Sequence, residues 1–262
     1  MIAWLNGALL KSAKARIDPL DRGFLLGDGL FETIAARGGK ILRLPAHLAR
    51  LRRGCEILDL PYPAIDLEAA LAATLAANKL ADSVLRLTLT RGAAPRGLWP
   101  KEKSEPTLLI TAQAMPDAPM PARCVIATVT RRNEHSPLAR IKSLNYLDNI
   151  LARREASERG ADDAILLNTA GFVAETSAAN IFIVKNGKAF TPPVAVGALP
   201  GVMRAAIIEA GLAEEKSLKL WDLFAADGVF FTNSFGVRAV ASIDGRSSGT
   251  VDHFIADLKA KF

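Results

Sequence analysis

Three of the seven consecutive residues 115–121 are prolines, and this break limits what the chain can fold into. Proline has no backbone N–H to donate, so regular helix and sheet structure is expected to stop at such a segment. The chain has 262 residues, which at roughly 100 to 200 residues per domain leaves room for two modest domains. We therefore predict an N-terminal domain of residues 1–114, a linker of residues 115–121 and a C-terminal domain of residues 122–262.

Short apolar runs alternate with helical patterns on both sides of this break. In the first half, strands are expected at 31–35, 40–44, 84–90 and 107–112, and helices at 45–58 and 67–80. Asp66 is the expected N-cap of the second helix. Gly38-Gly39 indicates a hairpin turn between the first two strands. In the second half, strands are expected at 124–130, 164–167, 181–184, 229–232 and 237–243, and helices at 146–159, 202–210 and 251–261. This order of elements predicts an α+β fold.

The composition narrows the possible partners. Half of the residues are hydrophobic and 23% are charged, as in a globular protein with a sizeable core. The net charge is +6, but the basic residues are dispersed among acidic ones, so we expect no nucleic-acid partner. The N-terminus shows no signal-peptide pattern, and no apolar run approaches the ~18 residues of a membrane span. We therefore expect a cytoplasmic protein without a membrane partner.

Cysteine and histidine spacings do not indicate a metal site. Cys55 and Cys124 are not arranged as Cys-x-x-Cys, which makes a disulfide framework or a zinc ribbon improbable. His47, His135 and His253 are far apart in the sequence, and none has the spacing of metal ligands. We expect no bound metal.

Lys142 stands in an unusual context for a lysine. It lies between apolar residues, directly before a predicted amphipathic helix. Partial burial there would disfavour its charged form and lower its pKa, which a lysine needs to form a Schiff base or to act as a base at neutral pH. Such a lysine can also extend its ammonium group into solvent, so the context alone leaves both possibilities open.

Two segments of the second half carry groups that suit an anionic or heterocyclic ligand. In the segment 175–180, a carboxylate is followed by hydroxyl-bearing and small residues, which can pair with a protonated ring nitrogen or hold an anion. The segment 197–204 leads through a glycine into a predicted helix, and a helix N-terminus favours phosphate. An ordinary polar turn and a helix start without a ligand would have the same sequences.

Taken together and in this order, the segments resemble the fold-type IV family of pyridoxal-phosphate enzymes. That family includes branched-chain aminotransferases, D-amino-acid aminotransferases and aminodeoxychorismate lyases. The similarity covers nearly the whole chain. The motifs that carry it are Asp21-Arg22-Gly23, Gly27-Asp28-Gly29-Leu30-Phe31-Glu32-Thr33, His47-Leu48-Ala49-Arg50-Leu51, Lys142-Ser143-Leu144-Asn145-Tyr146, Glu175 to Phe182, and Leu199 to Arg204.

The resemblance implies a two-domain enzyme with pyridoxal 5′-phosphate at the domain interface, and it implies a homodimer. It makes Lys142 the Schiff-base lysine and proton shuttle, Glu175 the partner of the pyridine nitrogen, and Arg50 a ligand of the phosphate. The other implied cofactor-binding residues are Ser177, Ala178, Val202, Met203, Asn233 and Ser234. Met203 departs from the family pattern, because many members have a threonine there whose hydroxyl also binds phosphate.

The resemblance leaves the reaction open between a lyase and a transaminase. D-amino-acid aminotransferases carry Arg-x-His and an early tyrosine, whereas this chain has Arg96-Gly97-Leu98 and Phe31. Branched-chain enzymes lack this Gly-Asp-Gly form and have longer chains, so this activity is the least favoured of the three. Aminodeoxychorismate lyases show Phe-x-Thr, matched by Phe31 and Thr33, and two Arg-Gly pairs, although Leu98 stands where they usually have tyrosine.

The lyase is accordingly the leading prediction, with Thr33 as a catalytic residue and Phe31, Arg96 and Leu98 as substrate-facing residues. Its substrate would be aminodeoxychorismate, and its products 4-aminobenzoate and pyruvate on the folate pathway. The alternative is a D-amino-acid or amine transaminase that uses an amino substrate and a 2-oxo acid. From another class, a non-enzymatic module that binds an anion or RNA is the outside alternative.

Overall fold

The computed structural model describes residues 1–100, 104–118 and 120–262. Contacts between Cα atoms divide the described residues into two units. The first contains Met1–Asp117 and Ile141–Asn145, and the second contains Ala118–Arg140 and Tyr146–Phe262. One residue of the predicted linker, Pro119, lies outside the described residues.

The described part of the first unit forms a six-stranded antiparallel sheet with three α-helices. Its strands are β1 (Ile2–Leu5), β2 (Ala8–Lys11), β3 (Gly29–Arg37), β4 (Lys40–Ile41), β5 (Ser83–Thr90) and β6 (Thr107–Ala114). Its helices are α1 (Arg22–Leu26), α2 (Leu44–Leu58) and α3 (Leu67–Asn78). The strands lie in the order β2, β1, β6, β5, β3, β4, so that β3 and β5 pair along nearly their full length.

Alternation along β3 and β5 gives this sheet two different faces. Leu30 and Ile34 pair with Leu89 and Leu85, and all four belong to the apolar core that packs against α2 and α3. Phe31 and Thr33, which alternate with these core residues along β3, point to the opposite face. That second face carries the polar and aromatic side chains considered below.

Local signals explain most element boundaries in the first unit. Gly38 and Gly39 both have positive φ, 54° and 78°, and form the two-residue turn that joins β3 to β4, as predicted. The side chain of Asp66 accepts a hydrogen bond from the backbone of Ala69 and caps α3, also as predicted. The predicted strand 40–44 is wrong beyond Ile41, because α2 begins at Leu44 with a proline in its first turn.

The described part of the second unit is built around a mixed sheet of nine strands. The strands are β7 (Ala122–Ile126), β8 (Asp163–Leu167), β9 (Val173–Thr176), β10 (Asn180–Lys185), β11 (Lys188–Thr191), β12 (Ala213–Glu215), β13 (Gly228–Asn233), β14 (Gly236–Ile243) and β15 (Arg246–Ser247). The helices are α4 (Leu147–Glu158), α5 (Val202–Glu209), α6 (Leu220–Phe224) and α7 (Asp252–Lys261). The mixture of sheets and helices in the two units confirms the predicted α+β class.

One predicted strand of this unit is shorter than expected. The prediction was 124–130, but β7 ends at Ile126. The backbone N–H groups of Thr128 and Val129 donate to the carboxylate of Glu155 on α4, at 2.8 and 3.0 Å, instead of to a neighbouring strand. A side chain thus replaces the sheet as hydrogen-bond acceptor, and the strand stops.

The segment 141–145 packs with the first unit, although it was predicted to belong to the C-terminal domain together with Lys142. Ser143 forms an antiparallel bridge with Leu30 at the start of β3. The N–H of Leu144 donates to Gly29 O at 2.9 Å, and Ile141 lies in the apolar core of the first unit. The segment therefore acts as a short extra strand beside β3.

Among the residues that the structure describes, no helix is long and apolar enough to cross a membrane.

Candidate functional site

Lys142 projects over an aromatic ring at the edge of the first unit's sheet. The N–H of Phe31 donates to Lys142 O at 2.9 Å, which fixes the lysine backbone beside β3. Because the neighbouring Ile141 enters the core, alternation directs Lys142 to the opposite face. Its Nζ lies 4.3 Å from the centroid of the Phe31 ring, and the residue is half-buried. The predicted partial burial of this lysine is thus found in the structure.

Phe31, Thr33 and Arg86 share this face of the sheet. Thr33 and Arg86 are direct cross-strand partners, and the guanidinium carbon of Arg86 lies 4.0 Å from the centroid of the Phe31 ring. The Phe31 ring therefore contacts both the Lys142 amine and the Arg86 guanidinium. Sequence reasoning missed Arg86, although it is the one charged residue in the alternating strand β5, which could have indicated it.

The predicted substrate residues Arg96 and Leu98 lie on an exposed loop that a buried arginine anchors. Leu98 is 88% exposed, so its side chain makes little contact within the chain. Arg22 donates to the backbone oxygens of Gly97 and Leu98 at 2.7 and 2.6 Å. Its Nε lies 2.8 Å from the Asp28 carboxylate. The backbone of the loop is therefore held while its side chains stay accessible.

Asp28 joins two buried arginines in this network. Arg91 contacts Asp28 at 2.8 Å and also donates to the backbone oxygens of Leu58 and Asp59 at the end of α2, each at 2.7 Å. Burial alone would raise the pKa of Asp28, but hydrogen bonds and charge interactions with Arg91 and Arg22 outweigh burial and hold the pKa below its usual range. The Gly-Asp-Gly and first Arg-Gly motifs thus meet in one structural network.

Arg50 is part of a buried group of three ionisable side chains. Its Nε and Nη2 donate to the two carboxylate oxygens of Glu32, at 2.8 and 2.6 Å. His47 Nδ1 lies 2.7 Å from Glu32 Oε2. All three residues are less than 7% exposed. Burial alone would raise the pKa of Glu32, but Arg50 and His47 outweigh it and lower the pKa.

In the second unit, Glu175 is buried on β9 between two donors. Arg132 Nε lies 3.1 Å from its Oε1, and the N–H of Leu199 donates to its Oε2 at 2.9 Å. Arg132 also donates to Gly197 O at 3.2 Å and thereby ties the carboxylate to the loop that leads into α5. Sequence reasoning missed Arg132, because it lies far from Glu175 in the sequence and in none of the motifs.

The N-cap residue of α5 is Gly201, which has no side chain to cap the first turn of the helix. A Cβ on Gly201 would lie 1.9 Å from Asn180 Oδ1, so only glycine fits before Val202. The Met203 side chain is buried in the apolar core beside Phe182, which leaves its backbone N–H as the group it can offer an anion. This helix start suits a phosphate.

The remaining predicted cofactor residues lie on turns of the second unit. Ser177 follows β9, and its hydroxyl donates to Asp163 at 2.5 Å and accepts from Arg153 at 3.0 Å. Ala178, the next residue, is exposed. Asn233 ends β13 and accepts a hydrogen bond from the backbone N–H of Phe235, and Ser234 lies in the turn between them. The Ser177 hydroxyl is thus engaged within a polar network of its own.

These groups fit pyridoxal 5′-phosphate by the chemistry of their donors. The first unit offers an amine beside an aromatic ring and a buried arginine. The second offers a buried carboxylate paired with an arginine and an uncapped helix start. An aldehyde, a ring nitrogen and a phosphate bind to partners of these kinds, so the groups of each unit are compatible with a pyridoxal-phosphate enzyme.

Comparison with known proteins identifies the family. Residues 29–243 match the family model described as amino-transferase class IV. A putative branched-chain-amino-acid aminotransferase of Methanocaldococcus jannaschii is 36% identical, over 100% of this chain and 95% of that protein. The chain therefore belongs to the class IV aminotransferase family and is a pyridoxal-phosphate-dependent transaminase or lyase.

Relatives with the other two activities are similar over comparable lengths. The D-alanine aminotransferase of Bacillus licheniformis is 32% identical, over 94% of this chain and 89% of that protein. The aminodeoxychorismate lyase of Vibrio harveyi is 32% identical, over 92% of this chain and 90% of that protein. The family prediction is confirmed, whereas these values do not choose an activity.

Solved structures share the whole fold. The branched-chain aminotransferase of Thermoproteus uzoniensis superposes with a TM-score of 0.91 at 29% identity, covering 99% of this chain and 93% of that one. The putative 4-amino-4-deoxychorismate lyase of Legionella pneumophila gives 0.87 at 31% identity, covering 96% and 97%. Our argument from chain length against branched-chain enzymes is therefore weak, since two proteins with that name align nearly end to end. The fold-type IV prediction is confirmed, and the place of the cofactor between the domains stays a prediction.

Proposed function

We propose that this class IV enzyme is a 4-amino-4-deoxychorismate lyase that forms 4-aminobenzoate and pyruvate, a step toward folate. The observation that carries the proposal is the cross-strand pair of Thr33 and Arg86 on the Lys142 face of the sheet. It brings a hydroxyl and a cation to the face that carries the reactive amine. The substrate has two carboxylates and a leaving group, and it requires groups of both kinds.

We assign the cofactor to the following residues. Lys142 would bind its aldehyde carbon, Glu175 would pair with its ring nitrogen, and Arg50 would bind its phosphate. The phosphate would also receive hydrogen bonds from a second group of residues. These are Ala178, Val202, Met203, Asn233 and Ser234, of which Val202 and Met203 would contribute backbone N–H groups. Ser177 would join them by turning its hydroxyl from Asp163 to the phosphate.

When bound, the cofactor supplies an electron sink for the pair left by the departing proton. Lys142 acts as the base that removes the proton from the substrate carbon bearing the amine. The enolpyruvyl oxygen then leaves the neighbouring carbon, and the ring becomes aromatic. The Thr33 hydroxyl assists proton delivery to that leaving group. Phe31 excludes water beneath the lysine.

Two arginines are available for the two carboxylates of the substrate. Arg86 lies on the sheet beside Phe31, and Arg96 lies on the loop whose backbone Arg22 anchors. An arginine can bind each carboxylate through two hydrogen bonds. Leu98, 88% exposed on the same loop, offers an apolar surface to the substrate ring.

A transaminase is the second candidate, and two relatives bear names of that activity. The M. jannaschii and B. licheniformis proteins are named as aminotransferases and match over nearly the whole chain. A transaminase would bind an amino acid and a 2-oxo acid and would use the same lysine and arginines. It would have little need of the Thr33 hydroxyl, since no leaving group has to be protonated.

Thr33→Val separates the two reactions. If the chain is a lyase, the variant should form 4-aminobenzoate from aminodeoxychorismate about 10²-fold more slowly, because a proton donor is lost. Thr33→Ser is the matched control, since it keeps the hydroxyl and should retain most of the rate. Wild-type protein that transaminates D-alanine or a branched-chain amino acid with 2-oxoglutarate and forms no 4-aminobenzoate would refute the lyase and establish the transaminase.

A further inference from the structure

Glu32, His47 and Arg50 form a buried group of ionisable side chains. Of these three residues, only Arg50 has been given a role above. Glu32 lies on β3, on the face that packs against α2, and is 1% exposed. His47 and Arg50 come from α2, three residues apart, so that both reach the same carboxylate. Three ionisable side chains thus meet in a place that apolar residues could fill.

Burying these three ionisable side chains costs free energy of folding. Each charge must be removed from water, and apolar replacements of a buried ion pair are often neutral or stabilising. A buried charged group is therefore better explained by what it fixes than by what it adds to stability. Here it fixes the plane of one guanidinium group.

The geometry of the Glu32–Arg50 contact is bidentate. Nε and Nη2 lie along one edge of the planar guanidinium group, and both donate to the carboxylate, at 2.8 and 2.6 Å. Two parallel hydrogen bonds determine the position and the rotation of the whole group. His47 lies 2.7 Å from the oxygen that also accepts from Nη2, and so limits the rotation of the carboxylate.

We infer that Glu32 and His47 are positioning residues that preorganise Arg50 for the phosphate of the cofactor. This inference rests on the proposed phosphate role of Arg50. Glu32 holds one edge of the guanidinium group, and His47 holds Glu32. Arg50 then needs little ordering when phosphate binds, which strengthens the phosphate contact without any contact between phosphate and Glu32 or His47.

The inference predicts a specific loss of affinity for the phosphorylated cofactor. Glu32→Asp keeps the charge but shortens the side chain by one methylene, so the bidentate contact can no longer form. Cofactor-free protein should be titrated with pyridoxal 5′-phosphate and with pyridoxal, and binding followed by visible absorbance. We expect the preference for the phosphorylated form to fall about 10-fold or more in Glu32→Asp, as for one charge-assisted hydrogen bond.

Two further variants test the role of the histidine and guard against misfolding. His47→Phe removes the ring nitrogen and should also lower the preference, whereas His47→Asn can place an amide donor near the position of Nδ1 and should restore most of it. Asp28→Glu is the control for a one-methylene change at a partly buried carboxylate paired with arginine. The Asp28→Glu variant should lower the stability of the fold and leave the preference for pyridoxal 5′-phosphate over pyridoxal unchanged.

Arg50→Ala distinguishes the failure of this inference from the failure of the proposed phosphate site. If Arg50→Ala loses the preference while Glu32→Asp and His47→Phe keep it, Arg50 binds phosphate and the positioning role is refuted. If Arg50→Ala keeps the preference as well, the assignment of Arg50 to the phosphate is wrong. An equal loss in Asp28→Glu would show a general effect of disturbed folding and would also refute the positioning role.

Discussion

Asp28→Asn should destabilise the first unit more than any exposed charge substitution, because Asp28 compensates two buried arginines. The side chains of Arg22 and Arg91 are 5% and 6% exposed, and each contacts Asp28 at 2.8 Å. At an effective dielectric constant of ~20, two unit charges about 4 Å apart attract by about 4 kcal/mol. Desolvation offsets much of that gain, and removing one partner of a buried pair costs about 3 to 5 kcal/mol.

Asparagine keeps one amide oxygen as an acceptor. We therefore expect Asp28→Asn to lower the free energy of unfolding by about 3 kcal/mol, the lower end of this range. For a chain of this size, about 2 to 4 °C in Tm per kcal/mol gives a decrease of about 6 to 12 °C. Cofactor-free protein should be unfolded by heat and by urea. Asp82→Asn is the matched control, because Asp82 also pairs with an arginine, Arg37, but both side chains are about half exposed. An Asp28→Asn midpoint equal to that of the control would refute the reasoning.

The lowered pKa of Asp28 predicts that the stability of the protein depends on pH. The pKa of Asp28 is lowered in the folded state, so its contribution to stability is fully present above the pKa of an unfolded aspartate, about 3.9. It is lost as the pH falls through the lower folded-state pKa. The difference in unfolding free energy between wild type and Asp28→Asn should therefore be constant near neutral pH and shrink below about pH 4.

Two further predictions concern the cofactor. Lys142→Ala should abolish the visible absorbance band of the lysine-bound cofactor, whereas Lys40→Ala on β4 should keep it; a borohydride-reducible lysine adduct in Lys142→Ala would contradict the assignment. Glu175→Gln should retain the cofactor but slow turnover by about 10²-fold or more, because a neutral amide cannot keep the ring nitrogen protonated, and unchanged turnover would make Glu175 a structural residue only.

The sequence predicted elements wherever local signals were sufficient. The alternation in 31–35 and 84–90 identified the central strands, and Asp66 and Gly38-Gly39 marked a helix start and a turn correctly. It missed the hairpin of β1 and β2, which contains only four residues in each strand. Such short strands are defined by their pairing, β1 with β6 and β2 with β1, and not by their own pattern.

Contacts between distant residues account for what the sequence did not predict in the site. Arg132 and Glu175 are separated by more than forty positions, and nothing local indicates that they pair. Glu32 was read as the middle residue of a substrate motif, whereas the structure places it on the opposite face from Phe31 and Thr33. Lys142 was assigned to the second domain because it follows the proline-rich linker, but its backbone oxygen accepts a hydrogen bond from Phe31 on β3. Each of these relations depends on strand register, which no motif encodes.

The side chains on the Lys142 face of β3 and β5 bear on the identity of the substrate. A side chain at position 86 must project beside Phe31, because Leu85 and Leu87 on either side are fully buried in the core. Position 86 is therefore exposed to whatever binds on the Lys142 face, and a cation there favours a substrate carboxylate in addition to the one that Arg96 can bind. Both 2-oxoglutarate and aminodeoxychorismate have two carboxylates, so Arg86 supports a dicarboxylate without choosing between them. The choice then falls to Thr33, the cross-strand partner of Arg86, whose hydroxyl only the lyase reaction requires.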